Sequence, residues 1–317
     1  MIPEIALDWY NKGMGAVLAT VVETWGSAPR RVGAQLVVSG SGEIEGSVSG
    51  GCVEGAVISE ALEIVNSRET KLLEYGVTDG DAFAVGLACG GKIRVLLEPV
   101  GGSFPKKILE ELVEARARRV PVAYCVNHQK QLRKISYDGF AIEMKLDQSG
   151  FLPDAQTFVA IHNPPIRIII VGAVHIAQAI VKMFRIVGFD SIIVDPRTSF
   201  ATQDRFPSEK VIADWPDEVL PKLGNDERTA TIILSHDPKI DDLALEFALS
   251  SNYFYIGALG SQLTHTRRIE RLANKGFSKK TLERIHGPIG LNFRASSPEE
   301  IAASILGEVL MVLRGVK

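Results

Sequence analysis

At 317 residues the chain exceeds the usual span of one compact domain, so two domains, each with its own core, are expected. Hydrophobic residues at 46% against 23% charged, with no low-complexity tract, exclude a disordered chain, and a net charge of −3 gives no reason to expect a nucleic-acid partner. The start MIPEIALDWYNKG is acidic where a secretory signal would be basic, and the most apolar run, Ile166 to Val171, is far shorter than the ~20 residues of a membrane span, so a cytoplasmic protein without a membrane partner is expected.

In chain order, Met14 to Val22 and Gln35 to Val38 read as strands on either side of the turn-rich Trp25-Gly26-Ser27-Ala28-Pro29. Glu54 to Val65 places Val57, Ile58, Ala61, Leu62 and Val65 at helical spacing. Strands Lys71 to Tyr75 and Lys92 to Glu98 frame a second glycine-rich loop, and a helix from Lys106 to Arg118 precedes the strand Pro121 to Val126. Hairpin-like runs at Leu132 to Ile135 and Phe140 to Met144 close this half, domain 1–150. Gly150, Pro153 and Pro164-Pro165 among polar residues mark a linker between about Asp147 and Pro165.

The second domain, 166–317, opens with the β-branched run Ile166 to Val171, the turn Gly172-Ala173-Val174-His175, a helix to Val187 and a strand Ser191 to Val194 that ends in Asp195. Further buried-strand segments at Val211 to Ala213, Thr231 to Leu234 and Tyr253 to Ile256 alternate with helices such as Asp241 to Leu249 and Thr264 to Ala273. Such alternation makes a doubly wound parallel sheet of the α/β class. The last helix, Pro298 to Leu313, starts with Ser297 as N-cap and Glu300 three residues on, a capping box.

Gly172 and Asp195 stand where a dinucleotide fingerprint needs its first glycine and its ribose-binding acid, but Val174 occupies the place of the second glycine. The turn therefore either binds a nucleotide-like ligand or only closes the fold. His175, Asp195, Ser235, His236 and Gly260 of the loop Gly257 to Gln262 all sit at or just after strand ends, so one mouth would collect them, though ordinary loop chemistry accounts for them equally well; Arg197, two residues beyond Asp195, could hold a phosphate but is more simply a solvated loop residue. In the first half, Gly50-Gly51-Cys52 precedes a helix, where the dipole favours a thiolate and backbone N–H groups can receive an anion. Cys89 heads its own pair, Gly90-Gly91. Either cysteine could equally be an inert core residue, and Cys125, inside an apolar strand, is expected to be one. No CxxC, HExxH, P-loop or GxSxG is present and the six histidines lack ligand spacing, so metal binding by the protein alone and the common hydrolase and NTPase chemistries have no support.

With GSAPRRVGAQLVV, SGGCVEGAV and ACGGKIRVLLEP in one half, and YIGALGSQLTHTRRIERL, GPIGL and SSPEEIAASILGEV in the other, the chain resembles the XdhC/CoxI family of xanthine dehydrogenase accessory proteins over nearly its whole length. The resemblance implies an N-terminal mixed α/β XdhC/CoxI domain and a C-terminal Rossmann-like domain. It also implies a chaperone that binds molybdenum cofactor (molybdopterin), protects it while a cysteine desulfurase installs its sulfur ligand, and inserts it into a molybdenum hydroxylase of the xanthine dehydrogenase kind. An anionic pterin with a phosphate and a dithiolene-bound metal wants backbone donors, an arginine clamp and a thiol. Arg30, Arg31, Gly50, Gly51, Cys52, Gly90 and Gly91 are of those types, and the family motifs make Cys52, Cys89 and His175 cofactor-site candidates. Two departures, Val174 and Asn292-Phe293-Arg294 where the family commonly has Asp-Ile-Gly, both fall in the second half. The expectation is thus a cofactor-transfer protein, assembled as a homodimer, that need not catalyse a reaction. The alternatives are an NAD(P)-dependent oxidoreductase and a non-catalytic nucleotide-binding regulator.

Overall fold

The computed structural model describes residues 2–26, 30–51, 53–76, 91–127, 129–130 and 132–316. The chain divides between Pro164 and Pro165 into two compact units. The first carries α1 (Ile2–Asn11), β1 (Ala16–Trp25), β2 (Gln35–Ser39), β3 (Ile44–Gly46), α2 (Glu54–Ile64), β4 (Lys71–Tyr75), β5 (Lys92–Pro99), α3 (Lys106–Ala117), β6 (Val122–Asn127), β7 (Leu132–Ser136), α4 (Ala141–Leu146), β8 (Gly150–Phe151) and β9 (Phe158–His162).

Its described strands make two antiparallel sheets, ordered β3-β2-β1-β5-β4 and β7-β6-β9-β8. Strand β1 is apolar on both faces because both are covered. Val17, Ala19 and Val21 join Val57 and Ala61 of α2 in one core, whereas Ala16 and Leu18 join Phe104, with Leu109 and Leu112 of α3, and Tyr124, Phe158 and Ala160 of the second sheet. Within the latter layer lies a buried ion pair, Arg133 Nε to Glu98 Oε1 at 2.7 Å, with Tyr124 donating its hydroxyl to the same carboxylate at 3.0 Å.

Two readings of this half need correction. The stretch expected to be a linker instead supplies β8 and β9, and β9 pairs antiparallel with β6 from Val122↔His162 to Val126↔Phe158. Gly150 and Pro153 punctuate turns between strands, and the first unit reaches Pro164 rather than 150. Phe140 to Met144 alternates like a strand but lies at helix α4: Phe140 and Met144, one turn apart, pack on Cys125 and Val159, while Ile142 points outward at 71% exposure. Helix α1, not anticipated, buries Pro3 and Ala6. Cys125 is buried, and burial pushes its thiol above the ordinary range, which makes it a small core residue.

The second unit runs β10 (Arg167–Val171), α5 (His175–Ile186), β11 (Asp190–Val194), β12 (Lys210–Ile212), α6 (Pro216–Leu223), β13 (Thr229–Ile233), α7 (Pro238–Leu249), β14 (Tyr255–Ala258), α8 (Gln262–Asn274), α9 (Lys279–Leu282), β15 (Ile285–His286) and α10 (Pro298–Leu313). All pairings are parallel, in the order β12-β11-β10-β13-β14-β15. Counted within the unit that is 3-2-1-4-5-6, the order of dinucleotide-binding folds, with its switch point between β10 and β13. Ile168 and Ile170 face α5 and α10, and Ile169 and Val171 face α7, so the run is unbroken because helices cover both sides. The capping box of α10 is formed: Ser297 Oγ accepts from Glu300 N at 3.1 Å, and Glu300 Oε2 from Ser297 N at 3.2 Å. Among the described residues, no helix is long and apolar enough to cross a membrane.

Candidate functional site

The loop Ser47-Val48-Ser49-Gly50-Gly51 runs into the first turn of α2. Gly50 and Gly51 have φ of +80° and +117°, a region that glycine enters without the Cβ penalty. In that conformation successive N–H groups turn to one side and form a nest for an anion. The anion it holds belongs to the chain itself. Glu54 Oε1 accepts from Ser47 Oγ (2.8 Å), Val48 N (3.2 Å), Ser49 N (2.8 Å) and Gly50 N (2.9 Å), and Oε2 accepts from Gly51 N (2.8 Å) and Ser49 Oγ. Burial pushes this carboxyl up, but the hydrogen bonds from Ser49, Ser47 and Gly51 outweigh it and bring the pKa down to about 2. The Gly50 and Gly51 donors, expected to receive an external anion, are thus engaged by Glu54. Sequence reading missed that residue, although an acid just past a glycine pair at a helix start was the available signal.

Ser47 also lines a cavity of about 460 Å³ with Arg30, Arg31, Gln35, Gly33 and Gly46. Two of its glycines are required by crowding: a Cβ would come within 2.6 Å of Ser149 Oγ at Gly33 and 2.4 Å of Gln35 O at Gly46. Arg31 is exposed and pairs with Asp147 at 3.1 Å, and Arg30, also exposed, has no ion-pair partner among the described residues. Two guanidinium groups at a polar opening of this size suit an anionic ligand with planar polar edges. Gly91 is buried immediately before β5, whose Lys92 pairs with Trp25 at the end of β1. Trp25 of β1 and Lys92 of β5 therefore lie at the same end of the sheet. Cys52, Cys89 and Gly90 lie outside the described residues.

In the second unit, Gly172 at φ +106° passes so close to β13 that a Cβ would lie 2.5 Å from Ser235 N. Asp195, wholly buried, accepts from Ala173 N at 2.8 Å and from Arg197 N, Nε and Nη2 at 3.0, 2.9 and 2.7 Å. Burial alone would raise its pKa, but the Arg197 and Ala173 hydrogen bonds hold it below the usual carboxylate range. Both oxygens that would bind a ribose are thus occupied by the chain, and with Val174 at the head of α5 the mouth does not fit a dinucleotide in the ordinary way. This geometry counts against NAD(P) as a cofactor.

The expected gathering at the strand ends is partly realised. Gly172, Asp195, Arg197 and Ser235 are adjacent, and His175 is exposed at the start of α5. Ser235 Oγ donates to Asp241 Oδ1 at 2.6 Å, Asp241 faces Arg268 at 3.8 Å, and Arg268 Nη2 donates to Leu259 O at 2.7 Å, next to Gly260. The buried Arg268 thus ties the Gly260 loop to the Ser235 strand end. His236 follows in left-handed backbone, φ +61°. Among the described residues, no cluster of three or more His, Cys, Asp or Glu is placed to hold a metal.

The chain thus combines a mixed α/β unit carrying an arginine-lined cavity with a Rossmann-type unit whose expected ribose acid is engaged by Arg197 and Ala173. The chain belongs to the XdhC and CoxI family. That family's model matches residues 9–76, and the XdhC Rossmann domain matches 168–309. A relative from Escherichia coli K12, the molybdenum cofactor insertion chaperone PaoD, is 32% identical over 98% of this chain and 87% of its own length. A probable xanthine dehydrogenase subunit from Bacillus subtilis 168 is 26% identical over 95% of this chain and 94% of its own length. A crystal structure from Bacillus halodurans, described as a xanthine dehydrogenase, shares the fold with a TM-score of 0.76 and 25% identity, covering 99% of this chain and 96% of that one.

Proposed function

We propose that this protein binds molybdenum cofactor and delivers it to a xanthine dehydrogenase-like molybdenum hydroxylase. The observation that carries this reading is the cavity of about 460 Å³ where Arg30, Arg31 and Ser47 converge. The cargo is an anionic pterin, and bidentate guanidinium contacts are the chemistry that recognises its phosphate. The 32% identity to a molybdenum cofactor insertion chaperone supports the same cargo. Cys52 and Cys89 are the candidate thiols for the metal end, and Gly91 belongs to the same motif. In this reading the protein acts in the cytoplasm as a homodimer, shields the cofactor while a cysteine desulfurase sulfurates it, and performs no turnover of its own. The Rossmann-type unit, with Gly172, His175, Asp195 and Gly260 at its mouth, serves docking of the recipient enzyme rather than hydride transfer.

Ultrafiltration of purified protein with molybdenum cofactor, followed by assay of retained molybdenum and pterin, tests the proposal. Stoichiometric retention is expected, lost in an Arg30→Ala/Arg31→Ala double variant that still folds and reduced in Cys52→Ala or Cys89→Ala. No retention by folded wild type well above ~10 μM would sink it, since even modest affinity shows there.

A further inference from the structure

Glu54 has no place in the function as stated, yet no other carboxylate described in the chain gathers so many donors from so short a segment. Four consecutive backbone N–H groups, from Val48 to Gly51, and the hydroxyls of Ser47 and Ser49 all reach it. Packing holds the first part of the segment, where Val48 and Ser49 are buried, but not the glycines that follow. Gly50 and Gly51 lie exposed at positive φ, and a Cβ at Gly51 would meet nothing within 4 Å, so packing does not enforce the turn there. Two further bonds brace it from within: Gly50 N donates to Ser47 Oγ at 2.9 Å, and Val53 N donates to Ser49 Oγ at 2.9 Å. Ser47 faces two ways, donating to Glu54 and lining the cavity that holds Arg30 and Arg31.

We propose that Glu54 is the positioning residue of the cofactor cavity: it acts as an internal anion that fixes the Ser47–Gly51 loop as a preformed wall, without touching the cargo. The inference rests on the cavity being the molybdenum cofactor site. A carboxylate in the nest also has a selective consequence. It closes the loop N–H groups to the phosphate of the cargo, so the phosphate is left to the arginines. Preformed, the wall spares the cargo the cost of ordering five residues on binding.

Two measurements on the full-length protein separate this inference from the functional reading. Hydrogen exchange of the amides from Val48 to Gly51 reads the wall without any cargo. In Glu54→Gln these amides should exchange at least about tenfold faster than in wild type, while those of β1 and β5 keep their protection. Retention of molybdenum cofactor in the same variant should weaken by about tenfold or more. In Glu54→Ala, added acetate should restore both protection and retention, whereas chloride at equal ionic strength should not. If Glu54→Gln is too unstable to purify, Ser49→Ala removes one donor to the carboxylate and should show smaller changes of the same sign. A folded Glu54→Gln protein with wild-type exchange at 48–51, or with wild-type retention, would overturn the inference. Absence of retention in wild type, with the exchange effect intact, would instead overturn the cofactor reading and leave the loop lock standing.

Discussion

Both halves of the molecule place a glycine at positive φ ahead of a helix and bring a carboxylate of their own to that turn, to four successive N–H groups at the first and to the single Ala173 N–H at the second. The two solutions differ in what they close. At the first loop Glu54 comes from the helix that follows, holds the loop from behind and leaves the Arg30 and Arg31 cavity open beside it. At the second, Asp195 comes from the neighbouring strand, sits in the place of a ribose acceptor and is capped by Arg197. An internal carboxylate at a glycine turn is thus preorganisation in one domain and closure in the other. The fold by itself does not tell which, and the residues beside the carboxylate decide it.

That contrast can be broken most severely at charge buried between layers. Glu98→Gln takes the carboxylate charge away from Arg133, whose side chain is 4% exposed, and should cost about 3–5 kcal/mol in urea denaturation because the guanidinium stays buried after its ion pair is broken. Glycine replacements sharpen the contrast next. Gly172→Ala forces a Cβ to 2.5 Å from Ser235 N at unfavourable φ and should destabilise by about 2–4 kcal/mol, whereas Gly51→Ala, strained but in open space, should cost only about 1 kcal/mol. Equal costs at the two sites would show that the turns are not built differently.

Asp195→Asn retains the shape but loses charge-assisted bonds to Arg197, an expected loss of about 1.5–3 kcal/mol by the same denaturation. If it also conferred saturable NAD(P) binding, the closed reading of this mouth would be confirmed by its opening. The last prediction is pH-dependent. The carboxyl of Glu54 has a folded pKa of about 2 against an ordinary 4.5, so its contribution is complete above about pH 4.5 and lost as pH falls towards 2. Acid unfolding of wild type and Glu54→Gln should therefore converge as pH drops through that window, and parallel curves would show that Glu54 titrates normally.

Much of the second domain was legible because its signals are local. Ile166 to Val171 is apolar without alternation, a pattern that a strand covered on both faces requires, and Ser297, Pro298 and Glu300 spell a helix start in adjacent residues. The first domain misled where a pattern has two readings. Phe140, Ile142 and Met144 satisfy a strand period, and only the packing of Phe140 and Met144 one helical turn apart shows which period is in use. The turn residues between Gly150 and Pro165 look the same whether they separate strands or domains, and the pairing of Phe158 to His162 with β6 settles it through contacts more than 30 residues distant in sequence.

The amino-acid sequence alone determined the α/β class, the parallel sheet of the second half and the clustering of Arg30-Arg31, Gly50-Gly51 and Gly172 at turns, since strand period, helix caps and glycine freedom are properties of neighbouring residues. Tertiary structure decided which of those turns are free to act. That Glu54 fills one nest, that Arg197 covers Asp195 and that Arg30, Arg31 and Ser47 share a cavity are matters of where side chains arrive in space. The Glu54 nest and the Arg197–Asp195 pair are local in sequence, whereas the cavity depends on the pairing of β2 with β3 and Asp195 reaches Ala173 N from 22 residues away, which local periodicity does not encode.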